Sequence, residues 1–346
     1  MRFVNRLRTS WLNLLVRSVF LALLLTFAPL SFSSEYKGRM INAHLHVLGN
    51  LESNLLFEEL SKAGVEAAIL MPKFYKGGGP YGGDDASSSD EQMDSIRREY
   101  PTTFFPLMGL QRGELCKESH WSDPNVINPL IAELDKKLSD GSYYGAGELI
   151  VVHWAYGKNV DSPGKNKNCS ELNHDISSPL VRGLLDTLKR YDKPLVMHME
   201  GDPIAVSKLR ALLNLGAKIV WAHNCGRSHP EVIRDMLSTY KNLFCDLANM
   251  DDKGFYGSGK PRLAPFSYLI MKDGRLDPAQ LKLMVDYPDR FMVGSDVAHA
   301  EGFRKSQVSR RLQRSRLMLG QLPINVADRV AYKNAVAIFG LPIDLD

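Results

Sequence analysis

The apolar positions of this chain recur with two alternating periods. Short runs rich in Val, Ile, Leu and Phe lie at residues 40–47, 65–71, 103–109, 143–152, 194–199, 218–223, 242–248 and 290–296. Runs of this length, apolar throughout, predict parallel strands covered by helices. Between them, apolar positions return every three to four residues. This predicts helices over 51–63, 90–100, 128–139, 178–190, 202–214, 228–240 and 277–287, with 304–319 and 325–339 after the last strand. Local chemistry agrees: Asp202-Pro203 and Asp277-Pro278 are N-cap and first-turn pairs, and Gly64 is a stop. Eight strand–helix repeats predict an α/β fold, a single-domain (β/α)8 TIM barrel. The alternative is an open doubly wound sheet, but no glycine-rich dinucleotide loop follows any strand. Segments 76–89, 154–177 and 250–274 read as enlarged loops at the C-terminal strand ends, where barrels build their sites.

Histidines and acids mark the ends of these apolar runs. The side-chain period of two points His44 and His46 the same way, and such a pair at a strand end can grip a metal ion. The alternative is two hydrogen-bonded core histidines. His198 closes the fifth run and His223 the sixth. Asp296 ends the eighth, where a buried carboxylate costs on the order of several kcal/mol unless it is paired or bound to a cation. A helix cap or a salt bridge is its alternative. Barrel closure brings Asp296 beside His44 and His46. Glu148 lies inside the fourth run, either as a buried salt-bridge partner or as a carboxylate bridging two metals.

An HxH pair on strand one, an acid on strand four, histidines on strands five and six and an aspartate on strand eight resemble the amidohydrolase superfamily. The chain is most similar to the amidohydrolase-related branch (amidohydrolase family 2). The resemblance rests on Gly145-Ala146-Gly147-Glu148, on Trp221-Ala222-His223-Asn224-Cys225-Gly226 and on Tyr287-Pro288-Asp289-Arg290-Phe291-Met292-Val293-Gly294-Ser295-Asp296. Ala331-Tyr332-Lys333-Asn334-Ala335 is similar to that family's last helix, and the likeness spans about residues 40–340. It implies a metal-dependent hydrolase. His44, His46 and Asp296 would hold one divalent ion, with His198 nearby. His223 would bind a second ion or polarise the substrate carbonyl, and Glu148 would bridge two ions or orient His198. Asp296 would accept a proton from water and deliver it to the leaving group. Zn2+ is the first expectation, as one or two ions, with Mn2+ or Fe2+ as alternatives.

Glu148 stands where urease-like and phosphotriesterase-like sites carry a carbamylated lysine, which argues against that kind of centre. A strand-four glutamate is also similar to TatD-type nucleases, and related decarboxylases leave carbon–carbon cleavage open. Three functions follow: a hydrolase of a small ester, lactone or amide, a metal-dependent decarboxylase, and a non-catalytic periplasmic metal-binding protein. Arg112 and Arg227 are candidate carboxylate binders. His153 and Trp154 are candidate pocket residues, and His299 is a further one.

Composition narrows the partners. The chain has 346 residues, 44% hydrophobic and 24% charged, which excludes disordered, collagenous and disulfide-dense classes. Its net charge is +4, from 43 basic and 39 acidic groups. Residues 1–33 carry Arg2, Arg6, Arg8 and Arg17 and no acid, so the remainder is formally neutral. The basic stretch 304–316 reads as a solvated helix face. A small-molecule substrate is therefore expected rather than nucleic acid. The arginine-bearing start, the apolar run 19–30 and Ser31 and Ser33 predict a cleavable Sec-type signal peptide over 1–33. A periplasmic or secreted domain over 34–346 follows, with no stable membrane insertion. Export permits disulfides, and Cys116 and Cys169, in loops on one barrel face, are expected to pair. Cys245 is expected as a buried strand residue, and Cys225 as a thiol close to the metal.

Overall fold

The structure, a computed structural model, describes residues 35–47, 51–73, 88–153, 172–250, 268–298 and 300–345. The expected signal peptide, Trp154, Cys169 and His299 lie outside the described residues, as does most of each expected enlarged loop.

The eight expected strands are present. They are β1 (Ile41–Val47), β2 (Ala67–Pro72), β3 (Phe104–Pro106), β4 (Ala146–Val152), β5 (Leu195–Met199), β6 (Ile219–Trp221), β7 (Leu243–Asp246) and β8 (Phe291–Met292). Two parallel arcs form, β1-β2-β3 and β8-β7-β6-β5-β4. Backbone bonds join the arcs at both seams. Between β3 and β4, the Met108 amide donates to the Gly145 carbonyl at 3.0 Å and the Gly147 amide to the Met108 carbonyl at 2.9 Å. Between β8 and β1, the Ala43 amide reaches the Val293 carbonyl at 2.9 Å and the Ser295 amide the His44 carbonyl at 3.1 Å. The sheet is thus a closed barrel.

Side chains tighten the second seam. The Asn42 amide group donates to Ser295 Oγ and its oxygen accepts from the Ser295 amide, each at 2.9 Å. Gly294 allows this approach, because a Cβ there would lie 2.6 Å from the Cβ of His44.

Each strand is followed by a helix that covers it: α1 (Ser53–Lys62), α2 (Asp90–Glu99), α3 (Pro124–Ser139), α4 (Pro179–Arg190), α5 (Pro203–Leu213), α6 (Pro230–Thr239), α7 (Pro278–Asp286) and α8 (Gln307–Leu319). The apolar stripe of α4 is typical: Leu180, Leu184, Leu185 and Leu188 are fully buried, at about 1.5–3 kcal/mol each. Asp202 and Asp277 cap α5 and α7 as the sequence predicts. Among the described residues no helix is long and apolar enough to cross a membrane.

Departures from the expected boundaries have local causes. Helix α3 begins at Pro124, because Asp123 caps it by accepting from the Asn125 amide. The helix expected over 304–319 is divided by Ser306, whose backbone is left-handed. A small antiparallel hairpin, Met271–Lys272 with Arg275–Leu276, precedes α7 and was not expected. Strand six stops at Trp221, short of His223.

A buried charge cluster ties the β3–α3 connection to α2. Arg112 donates to both carboxylate oxygens of Glu133, at 2.8 and 2.9 Å, and to Asp90 at 3.2 Å; Lys137 bonds both acids. Burial would raise the Glu133 pKa, but its bonds to Arg112 and Lys137 hold it down to about 2. A depressed carboxylate stabilises the fold above its ordinary pKa and loses that contribution as pH falls toward 2. Glu133→Gln is therefore expected to cost on the order of 1 kcal/mol at neutral pH, given the partial exposure of the pair. In urea unfolding, the gap to the unaltered protein should close between pH 4.5 and pH 2.

Candidate metal centre

The C-terminal mouth of the barrel gathers the side chains singled out in the sequence. His44 and His46 alternate on β1 and point inward together, with their Nε2 atoms 3.2 Å apart. Asp296, beyond β8, places Oδ1 3.6 Å from each of those nitrogens. Across the barrel, His198 Nδ1 and His223 Nε2 lie 3.1 Å apart, and both face Glu148 Oε1, at 3.1 and 3.5 Å. The other Glu148 oxygen lies 3.2 Å from His46 Nε2. Two three-residue groups result, His44–His46–Asp296 and Glu148–His198–His223, and the Glu148 carboxylate spans them.

Glu148 can reach inward because Gly147 brings β4 close to β5. A Cβ on Gly147 would stand 2.7 Å from the Cβ of Val196 and 3.0 Å from its carbonyl oxygen.

Sequence reasoning missed two carboxylates that orient these rings. Asp246, at the end of β7, accepts from His44 Nδ1 at 3.0 Å through one oxygen. Its other oxygen accepts the backbone amides of His223 and Ala248, at 3.1 and 3.0 Å. Glu200 lies 3.1 Å from His198 Nε2 and receives Arg227 Nη1 at 2.5 Å. His223 Nδ1 is directed at the Ala248 carbonyl at 3.0 Å. These partners assign the outward N–H of three imidazoles and turn the inward nitrogens of His44, His198 and His223 toward the cluster, where the neutral rings offer lone pairs. Gln111 was also missed; it donates to Glu148 at 2.8 Å.

The electrostatics are those of a site short of positive charge. Glu148, Asp246 and Glu200 are buried, and Arg227 is the only guanidinium hydrogen-bonded to them among the described residues. Burial opposes a charge on His44, yet Asp246 and Glu148 outweigh it and raise its pKa to about 10. For His198 burial likewise lowers the pKa, but Glu148 and Glu200 carry it up to about 9. Burial pushes Glu148 and Asp296 upward, but the surrounding imidazoles hold Glu148 well below the carboxylate range and Asp296 at about 2.

These residues fit a divalent cation. The donors are imidazole nitrogens and carboxylate oxygens, and their 3.1–3.6 Å separations suit atoms that each lie about 2 Å from a common centre. A third group, His153–His198–Glu200, shares His198 with them. There the Arg227 guanidinium already supplies the cation to Glu200.

The expected substrate-side residues divide. His153 packs its ring 4.7 Å from that of His198, at the mouth. Arg227 is buried behind the cluster and is held by Glu200. Arg112 is drawn away into the Glu133–Asp90 cluster, because those acids accept from the edges of its guanidinium that a substrate carboxylate would use.

Cys225 is not the free thiol expected beside the metal: it forms a disulfide with Cys245 of β7. Cys116 is disulfide-bonded as well, and its expected partner, Cys169, lies outside the described residues.

After β6 the chain makes a left-handed turn. His223, Asn224, Cys225, Gly226 and Arg227 have φ of 56°, 51°, 53°, 69° and 59°. Left-handed backbone costs most L-residues roughly 1–2 kcal/mol each. Runs of it persist only where the surroundings hold them.

No family model matches the chain, and no curated protein matches it in sequence. Its fold does match solved structures. An uncharacterised TIM-barrel protein from Bordetella bronchiseptica aligns with a TM-score of 0.53 at 13% identity, over 88% of this chain and 100% of that one. Dihydroorotase from Saccharomyces cerevisiae gives 0.53 at 15%, over 88% and 84%. L-Hydantoinase (dihydropyrimidinase) from Arthrobacter aurescens gives 0.51 at 14%, over 87% and 70%. The chain thus has the TIM-barrel fold that these solved structures share.

Proposed function

We propose that this protein is an exported, metal-dependent hydrolase of the amidohydrolase type, acting on a small ester, lactone or amide. The observation that carries this reading is the pair of three-ligand groups spanned by the two oxygens of Glu148. Dihydroorotase and hydantoinase among the similar barrels support it in kind.

His44, His46 and Asp296 would hold one divalent ion, and His198 and His223 a second, with the two oxygens of Glu148 facing both groups. Zinc suits these nitrogen and oxygen donors, with manganese or iron as alternatives. When bound, such ions polarise water and the substrate carbonyl. The chain's own residues do the rest. Asp296 is ionised at neutral pH and, being only partly buried, can accept a proton from water and return it to the leaving group. Asn249 Nδ2 approaches the second oxygen of Asp296 at 3.4 Å and steadies it. Asp246, Glu200 and the Ala248 carbonyl hold the imidazoles in the required tautomers. His153 lines the approach to the substrate. Arg227 acts through Glu200. The predicted signal peptide supports export.

The test is elemental analysis and metal titration of the purified protein, followed by an ester, lactone and amide panel. One to two equivalents of a divalent ion and metal-dependent turnover are expected. Less than one equivalent, with no binding or activation on adding metal to the metal-free protein, would sink the reading. Carbon dioxide release without addition of water would reassign the centre to decarboxylation.

A further inference from the structure

The left-handed turn at residues 223–227 is the least expected piece of backbone in the barrel, and it carries His223. Four of its five residues are not glycine. Several bonds hold it. The His223 amide donates to Asp246, the Gly201 amide donates to the Gly226 carbonyl at 2.8 Å, and the Tyr268 amide donates to the Arg227 carbonyl at 2.7 Å. The Asn224 and Gln280 side-chain amides exchange two hydrogen bonds, at 3.2 and 3.0 Å.

Residue 225, at the centre of the turn, is held by a covalent bond instead. Its partner, Cys245, immediately precedes Asp246, the carboxylate that binds both the His223 amide and the His44 ring. The cross-link therefore spans the two segments whose spacing sets where His223 stands.

We propose that the Cys225–Cys245 disulfide is a positioning element of the candidate centre: it holds the left-handed turn that presents His223 Nε2 to Glu148 and His198. This rests on the reading of those residues as a metal centre, while the conformational part stands on the backbone alone. Without the cross-link, residue 225 relaxes toward negative φ and His223 leaves the cluster. The His44–His46–Asp296 group, on β1 and beyond β8, stays in place.

Two double variants test this. Cys225→Ala with Cys245→Ala removes the bond but keeps a Cβ that resists the left-handed conformation. Cys225→Gly with Cys245→Ala removes the bond and that resistance together. Amide hydrogen exchange on the metal-free proteins reads the turn directly. In the alanine pair the His223 and Gly201 amides should exchange about tenfold faster or more, with Ala43 at the β1–β8 seam unchanged. In the glycine pair they should return to within about threefold of the unaltered protein. Metal titration should show the second equivalent weakened by about 10–100-fold in the alanine pair and recovered in the glycine pair.

Unchanged exchange in the alanine pair, equal acceleration at Ala43, or no recovery with glycine would overturn the proposal. Failure of both variants to fold would also overturn it, in favour of a global stabilising role. If the unaltered protein takes up no divalent ion, the functional reading fails, and the exchange measurements still decide whether the disulfide sets the turn.

Discussion

Asp296→Asn is expected to cut turnover by about 10²–10⁴-fold while the protein keeps its fold and the metal content measured for the unaltered protein. Asparagine retains an oxygen where Asp296 Oδ1 lies 3.6 Å from both His44 and His46, so a ligand position survives. What it loses is the ability to take up a proton and return it. The imidazoles hold the carboxylate at a pKa of about 2, so it is ionised at neutral pH, and its side chain is 18% exposed at the barrel mouth, where water can reach it. Steady-state kinetics on any substrate found in the panel, with metal content measured on the same samples, check this. Turnover within a few-fold of the unaltered protein would remove Asp296 from proton transfer. A barrel that binds metal but turns over nothing, with or without the substitution, would be a binding protein.

The second large effect is structural. Gly147→Ala is expected to cost about 2–4 kcal/mol in urea unfolding and to displace Glu148. The added methyl would stand 2.7 Å from Val196 Cβ and 3.0 Å from the Val196 carbonyl, and backbone at φ of +154° resists any side chain. Gly147 lies where the β4–β5 register shifts, between Ala146 and Leu149, and the clash falls on Val196 of β5, so relief is expected to move β4 away from β5. That shift carries Glu148 away from His198, so both ion groups should weaken together. A loss below about 0.5 kcal/mol would show that the strands can part without strain.

Much of this architecture is legible in the chain. Eight apolar runs gave the strands, because a parallel barrel buries both faces of each one. The acid at the end of an apolar run gave Asp296, and the same signal was present in Leu243-Phe244-Cys245-Asp246, where it was not used. Glu200 repeats the two-residue spacing of His44 and His46 in His198-Met199-Glu200, so the strand period could have found it. The left-handed turn was not legible. Gly226 and Asn224 favour positive φ by residue type, but Cys225 and Arg227 do not, and the contacts that hold the turn come from β7, α7 and the backbone at Gly201 and Tyr268. The Cys225–Cys245 bond was hidden for the same reason, since Cys225 reaches β7 only after that turn. Arg112 went astray because its acidic partners, Asp90 and Glu133, converge on it from two separate helices.

The seam between the first and last strands has a consequence for how the protein comes into being. Asn42 and Ser295 are 253 positions apart, so their bonds close one of the longest loops in the molecule. Such contacts reward the chain only after the entropy of closure has been met, which places them late in folding. A growing chain that ends short of residue 290 already holds all four cluster imidazoles and Glu148, but it lacks the strand that makes them a ring. The first half of the candidate centre, His44 and His46, thus waits on nearly the last part of the sequence to be made.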